Sequence, residues 1–245
     1  MCLLVVMVGC DPEHSVLVAG NRDERKDRKA APPGLFVGAK RRMLSPRDRE
    51  KGGTWLAVSE HGLFAGLTNV AGQAVDSGAR TRGDLPHLAL DAEDLDAACS
   101  TVEAAVRGSR YNAFQLVLSD GREGRILRWV GGSLHSTRVG AGLIVVTNEH
   151  AVGQMPVTPF AVAAEPGLQV AQRFARLLPL LRDDGRLTGH RVLKRGSDYG
   201  TVSSSLIAMS HRDPARLIWE YAAGAPDEVT FKSYGNLGSR LAQPS

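Results

Sequence analysis

The sequence predicts an α+β protein built mainly on antiparallel sheet. Three observations carry that expectation. Short runs rich in Val and Leu recur along the chain, separated by turn residues such as Asp11-Pro12, Asp120-Gly121 and Gly131-Gly132. Two stretches instead carry apolar residues at helical spacing: Leu95, Ala98, Val102 and Ala105 in one, Val170, Phe174, Leu177 and Leu178 in the other. Strands, then helices, then strands, with no repeat, heptad run or credible linker, point to one domain over residues 1–245.

The elements follow in order. Residues 2–8 read as a strand, and residues 15–20 resume the pattern beyond Asp11-Pro12, so the chain opens on a hairpin. Residues 24–53 hold Pro32-Pro33-Gly34 and a basic cluster and read as a long loop with a short strand at 35–37. Residues 54–59 and 63–69 make a second hairpin across Glu60-His61-Gly62. Gly83-Asp84-Leu85-Pro86 starts a first helix, and residues 95–106 form a second. Strands are expected at 113–119, 125–130, 133–138 and 143–147. A helix over 169–178 should end or kink at Pro179. Strands at 202–209, 216–221 and 228–234 close the chain, with a frayed tail of about eight residues.

Composition narrows the class. A 43% hydrophobic, 23% charged chain of 245 residues is an ordinary globular one, large enough to need no disulfide staples. Three cysteines (Cys2, Cys10, Cys99) leave an odd thiol and no CxxC pair, which predicts a reducing compartment, the cytoplasm. The apolar start lacks the basic region and length of a signal peptide, and no stretch approaches the ~20 apolar residues of a membrane span. The net charge is only +4, yet residues 22–51 alone carry eleven Lys/Arg against five Asp/Glu. Without interleaved aromatics or a docking motif, this reads as a solvated charged loop or active-site rim rather than a nucleic-acid surface. A site for an anionic or phosphorylated small molecule is the intermediate reading.

The candidate chemistry begins at Cys2. The small side chain after Met1 is the situation in which the initiator methionine is trimmed. The α-amine of Cys2, of pKa near 8, would then be a base held beside its own thiol. The alternative is a small hydrophobe at the start of a buried strand. Asn21-Arg22-Asp23-Glu24 closes the second strand, where a carboxylate can hold the α-ammonium and Arg22 can pair with a substrate anion. The tetrad also suits a strand opening into a solvated loop. Asn69 and Asn148 end apolar strands, where side-chain amides can stabilise an oxyanion, or simply turn a corner. No pair among the seven histidines has zinc-ligand spacing, and there is no Walker loop, GxGxxG or Gly-x-Ser-x-Gly. No metal or cofactor is expected.

Five ordered segments carry a resemblance: Met1-Cys2-Leu3-Leu4-Val5-Val6, Asn21-Arg22-Asp23-Glu24-Arg25, Gly52-Gly53-Thr54-Trp55-Leu56-Ala57-Val58, Leu67-Thr68-Asn69-Val70 and Tyr199-Gly200-Thr201. Together they resemble the NRDE family, which includes the transport and Golgi organisation protein 2 homologues. That family is distantly similar to cysteine N-terminal-nucleophile hydrolases such as penicillin V acylase and bile salt hydrolase. The resemblance implies a four-layer αββα sandwich, with Cys2 as nucleophile, Asp23 as partner of its amine, and Asn69 and Asn148 at the oxyanion site. Asn21, Arg22 and Glu24 are the expected substrate-binding residues. Two departures stand out. The acylases carry an arginine a few residues before the aspartate, whereas Arg22 is directly adjacent here. Val202 stands where family members commonly place an arginine, leaving Arg22 or Arg195 as substitutes.

The implied activity is hydrolysis of a small amide or N-acyl compound through a Cys2 thioester. The alternative from the same resemblance is a non-catalytic carrier of haem, acyl-CoA or another lipid-like ligand, its basic segment meeting propionates or phosphates. Neither reading expects nucleic acid or stable membrane insertion, and the oligomeric state is left open.

Overall fold

A computed structural model of the protein describes residues 3–150 and 153–243. Thirteen strands among these residues form two wholly antiparallel sheets. The six-stranded sheet runs in the order β10 (Gly142–Thr147), β1 (Leu3–Val8), β2 (His14–Arg25), β11 (Tyr199–Ser210), β12 (Ile218–Ala222), β13 (Lys232–Ser233). The seven-stranded sheet is a meander of β3 (Ala30–Val37), β4 (Arg42–Asp48), β5 (Leu56–Ser59), β6 (Phe64–Asn69), β7 (Phe114–Ser119), β8 (Gly124–Val130) and β9 (Ser133–Val139).

Strand periodicity explains how the sheets stack. Leu4, Val6 and Val8 of β1 face Leu44, Leu56, Val58, Phe64 and Val117 across the gap between the sheets. Leu3, Val5 and Met7 point the other way, onto Leu177, Leu180 and Leu181 of α4 (Val170–Leu181) and Phe160 of α3 (Thr158–Ala161). β1 is apolar at every position because both its faces are covered. On the far side, Met43, Ala57, Ala65 and Leu67 pack on α1 (Asp84–Leu90) and α2 (Leu95–Gly108). The layers are therefore helix, sheet, sheet, helix, as the resemblance implies.

Burying a Val or Leu side chain is worth roughly 1.5–3 kcal/mol, so the β1–β2 register, Leu3 opposite Asn21 through Val8 opposite Val16, is strongly fixed. A slip of one residue would exchange the side chains that meet the two layers and send Arg22 to the wrong side.

The structure corrects three sequence expectations. Most of the 24–53 segment is not loop: β2 continues to Arg25, and β3 and β4 form a hairpin. Pro32 and Pro33 are tolerated because β3 is an edge strand and its pairing is irregular between Ala31 and Gly34. Pro179 does not end α4, which runs to Leu181; it removes one N–H from the last turn of the helix. At the C-terminus, the strand expected over 228–234 shrinks to Lys232–Ser233, and α5 (Leu237–Leu241) takes up the first half of the expected frayed tail, with Leu241 buried in the inter-sheet core. Among the described residues no helix is long and apolar enough to cross a membrane.

Candidate functional site

The Asn21–Glu24 tetrad lies within β2, between β1 and β11, and strand alternation divides its duties. Asn21 is fully buried and faces α4. Its Nδ2 donates to the Leu181 carbonyl at 2.8 Å, and its Oδ1 accepts from Ser204 Oγ at 2.7 Å. Its amide is consumed in tying α4 to the sheet, a positioning duty rather than an open contact.

Asp23 returns to the Asn21 face and is 2% exposed. Its Oδ1 accepts a short 2.6 Å hydrogen bond from Thr201 Oγ1, and its carbonyl accepts from Tyr199 Oη at 3.2 Å. Thr201 Oγ1 is itself fixed by the Lys194 N–H at 3.0 Å. This is the work of the Tyr199-Gly200-Thr201 segment: it holds Asp23. The β2–β11 pairing jumps from Thr201–Asp23 to Ser203–Arg22, so Val202 is the extra residue of a bulge opposite the tetrad.

Arg22 points to the other side, into a cleft. Only 5% exposed, its guanidinium carbon lies 4.4 Å from the centre of the Trp55 ring. Among the described residues no hydrogen bond engages this guanidinium, and its one ion-pair contact is Glu24 at 3.9 Å. Burial lowers its pKa, with Glu24 and Asp48 partly opposing.

The charged segment builds one wall of this cleft. Arg28 bonds Asp48 through Nε at 3.1 Å and through Nη2, and Glu24 through Nη1 at 3.2 Å. Burial works against the Arg28 cation, but Asp48 and Glu24 outweigh it and raise its pKa. Asp48 is likewise desolvated, yet its bonds to Arg28 hold its carboxyl below the usual range. Arg82 supplies a third guanidinium, anchored by Nη1 to the Ala113 carbonyl at 2.9 Å. Burial, with Arg28 nearby, lowers its pKa. Three arginines thus face two carboxylates, leaving one net positive charge in the lining.

Arg82 is placed by glycine. A Cβ on Gly53 would lie 2.4 Å from the Gly83 carbonyl carbon, and the Thr54 N–H donates to Gly83 O at 2.9 Å. The Gly52-Gly53-Thr54 segment therefore permits backbone-on-backbone contact that sets Thr81-Arg82-Gly83 over the cleft. The sequence reading missed Arg28, Asp48 and Arg82. The first two sat in a presumed loop, and Arg82 has no local pattern to single it out.

Asn69, the last residue of β6, lines the same cleft. Asn148, just past β10, instead borders a smaller hollow beside Leu3, His150, His190 and Lys194. The two strand ends are joined, since the Ala71 N–H donates to Asn148 O at 2.7 Å. Cys2 lies outside the described residues; Leu3, to which it is bonded, pairs with Asn21 on one side and Thr147 on the other. Arg195 is half exposed and engaged by Asp227 and Glu228, so of the two proposed substitutes it is Arg22 that lines the cleft. No cluster of three metal-capable side chains occurs among the described residues.

A family model described as "Transport and Golgi organisation 2" matches residues 1–161. The transport and Golgi organization protein 2 homolog of Bos taurus is 27% identical over 247 residues, covering 92% of this chain and 88% of the relative. The Homo sapiens homolog is 34% identical over 110 residues, 44% of this chain and 39% of the relative. Among solved structures, penicillin V acylase from Agrobacterium tumefaciens superposes with a TM-score of 0.56 at 14% identity, covering 91% of this chain and 83% of the acylase. A variant of conjugated bile acid hydrolase from Clostridium perfringens gives 0.56 at 11% identity, covering 95% and 96%. A Caenorhabditis elegans orthologue of N-acylethanolamine-hydrolyzing acid amidase gives 0.51 at 11% identity, covering 84% and 92%.

Proposed function

From the premise that this chain belongs to the Transport and Golgi organisation 2 family and has an N-terminal-nucleophile-hydrolase-like fold, we propose that it is a cysteine amidohydrolase acting on a small amide or N-acyl substrate. After removal of Met1, the Cys2 thiol adds to the amide carbonyl while its α-amine takes the thiol proton. The tetrahedral oxyanion is met by Asn69 and Asn148. Collapse breaks the C–N bond, the ammonium returns its proton to the leaving amine, and a thioester remains. Water, deprotonated by the same amine, attacks the thioester, releases the acid and restores the thiol. Asp23 orients the amine and stabilises the ammonium that forms when it takes the thiol proton.

One observation carries this reading: a buried carboxylate, Asp23, on the strand paired with β1 and two residues past the Leu3–Asn21 pair, is held by Thr201 of β11. A carboxylate at 2% exposure is costly unless its charge serves a partner. In this reading the partner is the Cys2 amine. The protein works in a reducing cytoplasm, where Cys2 stays a thiol.

A second reading, a carrier of haem or acyl-CoA, is favoured only by the excess positive charge of the cleft. The two separate cleanly. If Cys2→Ala abolishes hydrolysis of N-acyl amides while the unfolding midpoint stays put, the hydrolase reading stands. Ligand binding that survives Cys2→Ala, weakens with salt, and is accompanied by no turnover in the wild type favours the carrier.

A further inference from the structure

We propose that the cleft is a carboxylate subsite, and that the substrate is an amide carrying one carboxylate, such as an N-acyl amino acid, bound by Arg22 and Arg82. This inference rests on the hydrolase reading for the identity of the scissile bond, but the subsite itself is independent of turnover.

A guanidinium withdrawn from water is unfavourable unless paired, because five N–H donors lose their solvent partners. Arg28 meets this cost with Asp48 and Glu24. Arg22 is met far less fully: it is 5% exposed, stacked on Trp55, and among the described residues it forms no hydrogen bond, its one ion-pair contact being Glu24 at 3.9 Å. Arg82 uses one N–H on the Ala113 carbonyl and has no carboxylate within ion-pair distance among the described residues. Both line one cleft, and burial depresses both. An incoming oxyanion would supply the missing acceptors, and two planar forks suit the two oxygens of a carboxylate.

The charge of the anion follows from the rest of the lining. Glu24 and Asp48 leave a single net positive charge, which a monoanion neutralises and a dianion overshoots, the two carboxylates repelling the excess. That favours a carboxylate over a phosphate. Asn69, a proposed oxyanion group, lines the same cleft and so puts the subsite next to the proposed reacting end.

The test uses the full chain carrying Cys2→Ala, so that binding is read without turnover. N-hexanoylglycine and its neutral primary amide are titrated calorimetrically. Charged hydrogen bonds of this kind predict that the acid binds about tenfold tighter or more, and that added salt erodes the difference. Adding Arg82→Gln should remove most of the preference, and Arg82→Lys, which keeps the charge without the fork, should retain part of it. Equal affinity for acid and amide, or an unchanged preference after both Arg82 substitutions, overturns the subsite. Displacement of the acid by inorganic phosphate at lower concentration than by acetate overturns the choice of carboxylate. A preserved acid preference alongside a wild-type protein that hydrolyses no N-acyl amide upholds the subsite and rejects the hydrolase reading alone.

Discussion

Arg173 and Arg22 are buried on opposite faces of the six-stranded sheet, and they are held in opposite ways. Arg173, on α4, is 1% exposed and saturated: Nε donates to Asp11 Oδ2 at 3.1 Å, Nη1 to Ala163 O at 2.7 Å and Nη2 to Cys10 O at 2.9 Å. Asp11 in turn bonds His14 at 2.9 Å. Every part of that cluster is used in clamping α4 to the β1–β2 turn. Arg22, almost as deeply buried, rests on an aromatic ring and opens onto a cleft. The contrast separates a charge that holds the fold from one that the fold must hold, and it is visible in the partners rather than in the burial.

Removing each arginine should therefore have opposite consequences. Arg173→Ala leaves Asp11 buried without its cation and should cost about 3–5 kcal/mol in urea unfolding. A loss under 1 kcal/mol (roughly) would put Arg173 in the same class as Arg22. A second structural group, His87, sharpens the point through pH. Burial, with Arg47 nearby, pushes its pKa down to about 4, and its Nε2 meets Ser45 Oγ at 3.0 Å. The folded protein keeps this ring neutral where the unfolded chain takes up a proton near pH 6.5 (about). Its stabilisation is thus complete above that pH and lost as pH falls towards 4, on the order of 2–3 kcal/mol. Denaturant midpoints across this window should show the slope, and His87→Gln should flatten it.

Asn21→Ala probes the structural side of the tetrad and should cost about 1–3 kcal/mol, because it orphans the Leu181 carbonyl and the Ser204 hydroxyl. Arg22→Met is the smallest in stability: an apolar chain of similar length on Trp55 should leave the unfolding free energy within about 1 kcal/mol, or raise it. It should nevertheless lose the acid-over-amide preference. A destabilisation matching that of Arg173→Ala would break the comparison.

Much of the fold was legible because its signals are local. Alternation and turn residues gave the β1–β2 and β5–β6 hairpins, and helical spacing gave α2 and α4. The β3–β4 hairpin was hidden because its prolines and charges mimic a loop, and only its place at a sheet edge makes them compatible with a strand. Within the site, the tetrad, Asn69 and the Tyr199-Gly200-Thr201 segment were readable as motifs, and the pairing of β2 with β11 gives the last of these its purpose. The split of the tetrad between two faces was not readable without the register. Arg82 was invisible, since only the contact between Gly53 and Gly83, thirty residues apart, brings it to the cleft.

The central claim is that Cys2 is a nucleophile, and the two other cysteines make it directly testable. Burial pushes the Cys99 thiol up to about 11 and raises that of Cys10, so neither offers much thiolate at neutral pH. Intact-mass analysis before and after brief treatment with a thiol-reactive acyl probe, followed by mapping of the adduct, reads both halves of the claim. The account predicts a chain beginning at Cys2 and a single acyl group on that residue. Met1 retained in full, with Cys2 labelled no faster than Cys99, would contradict it.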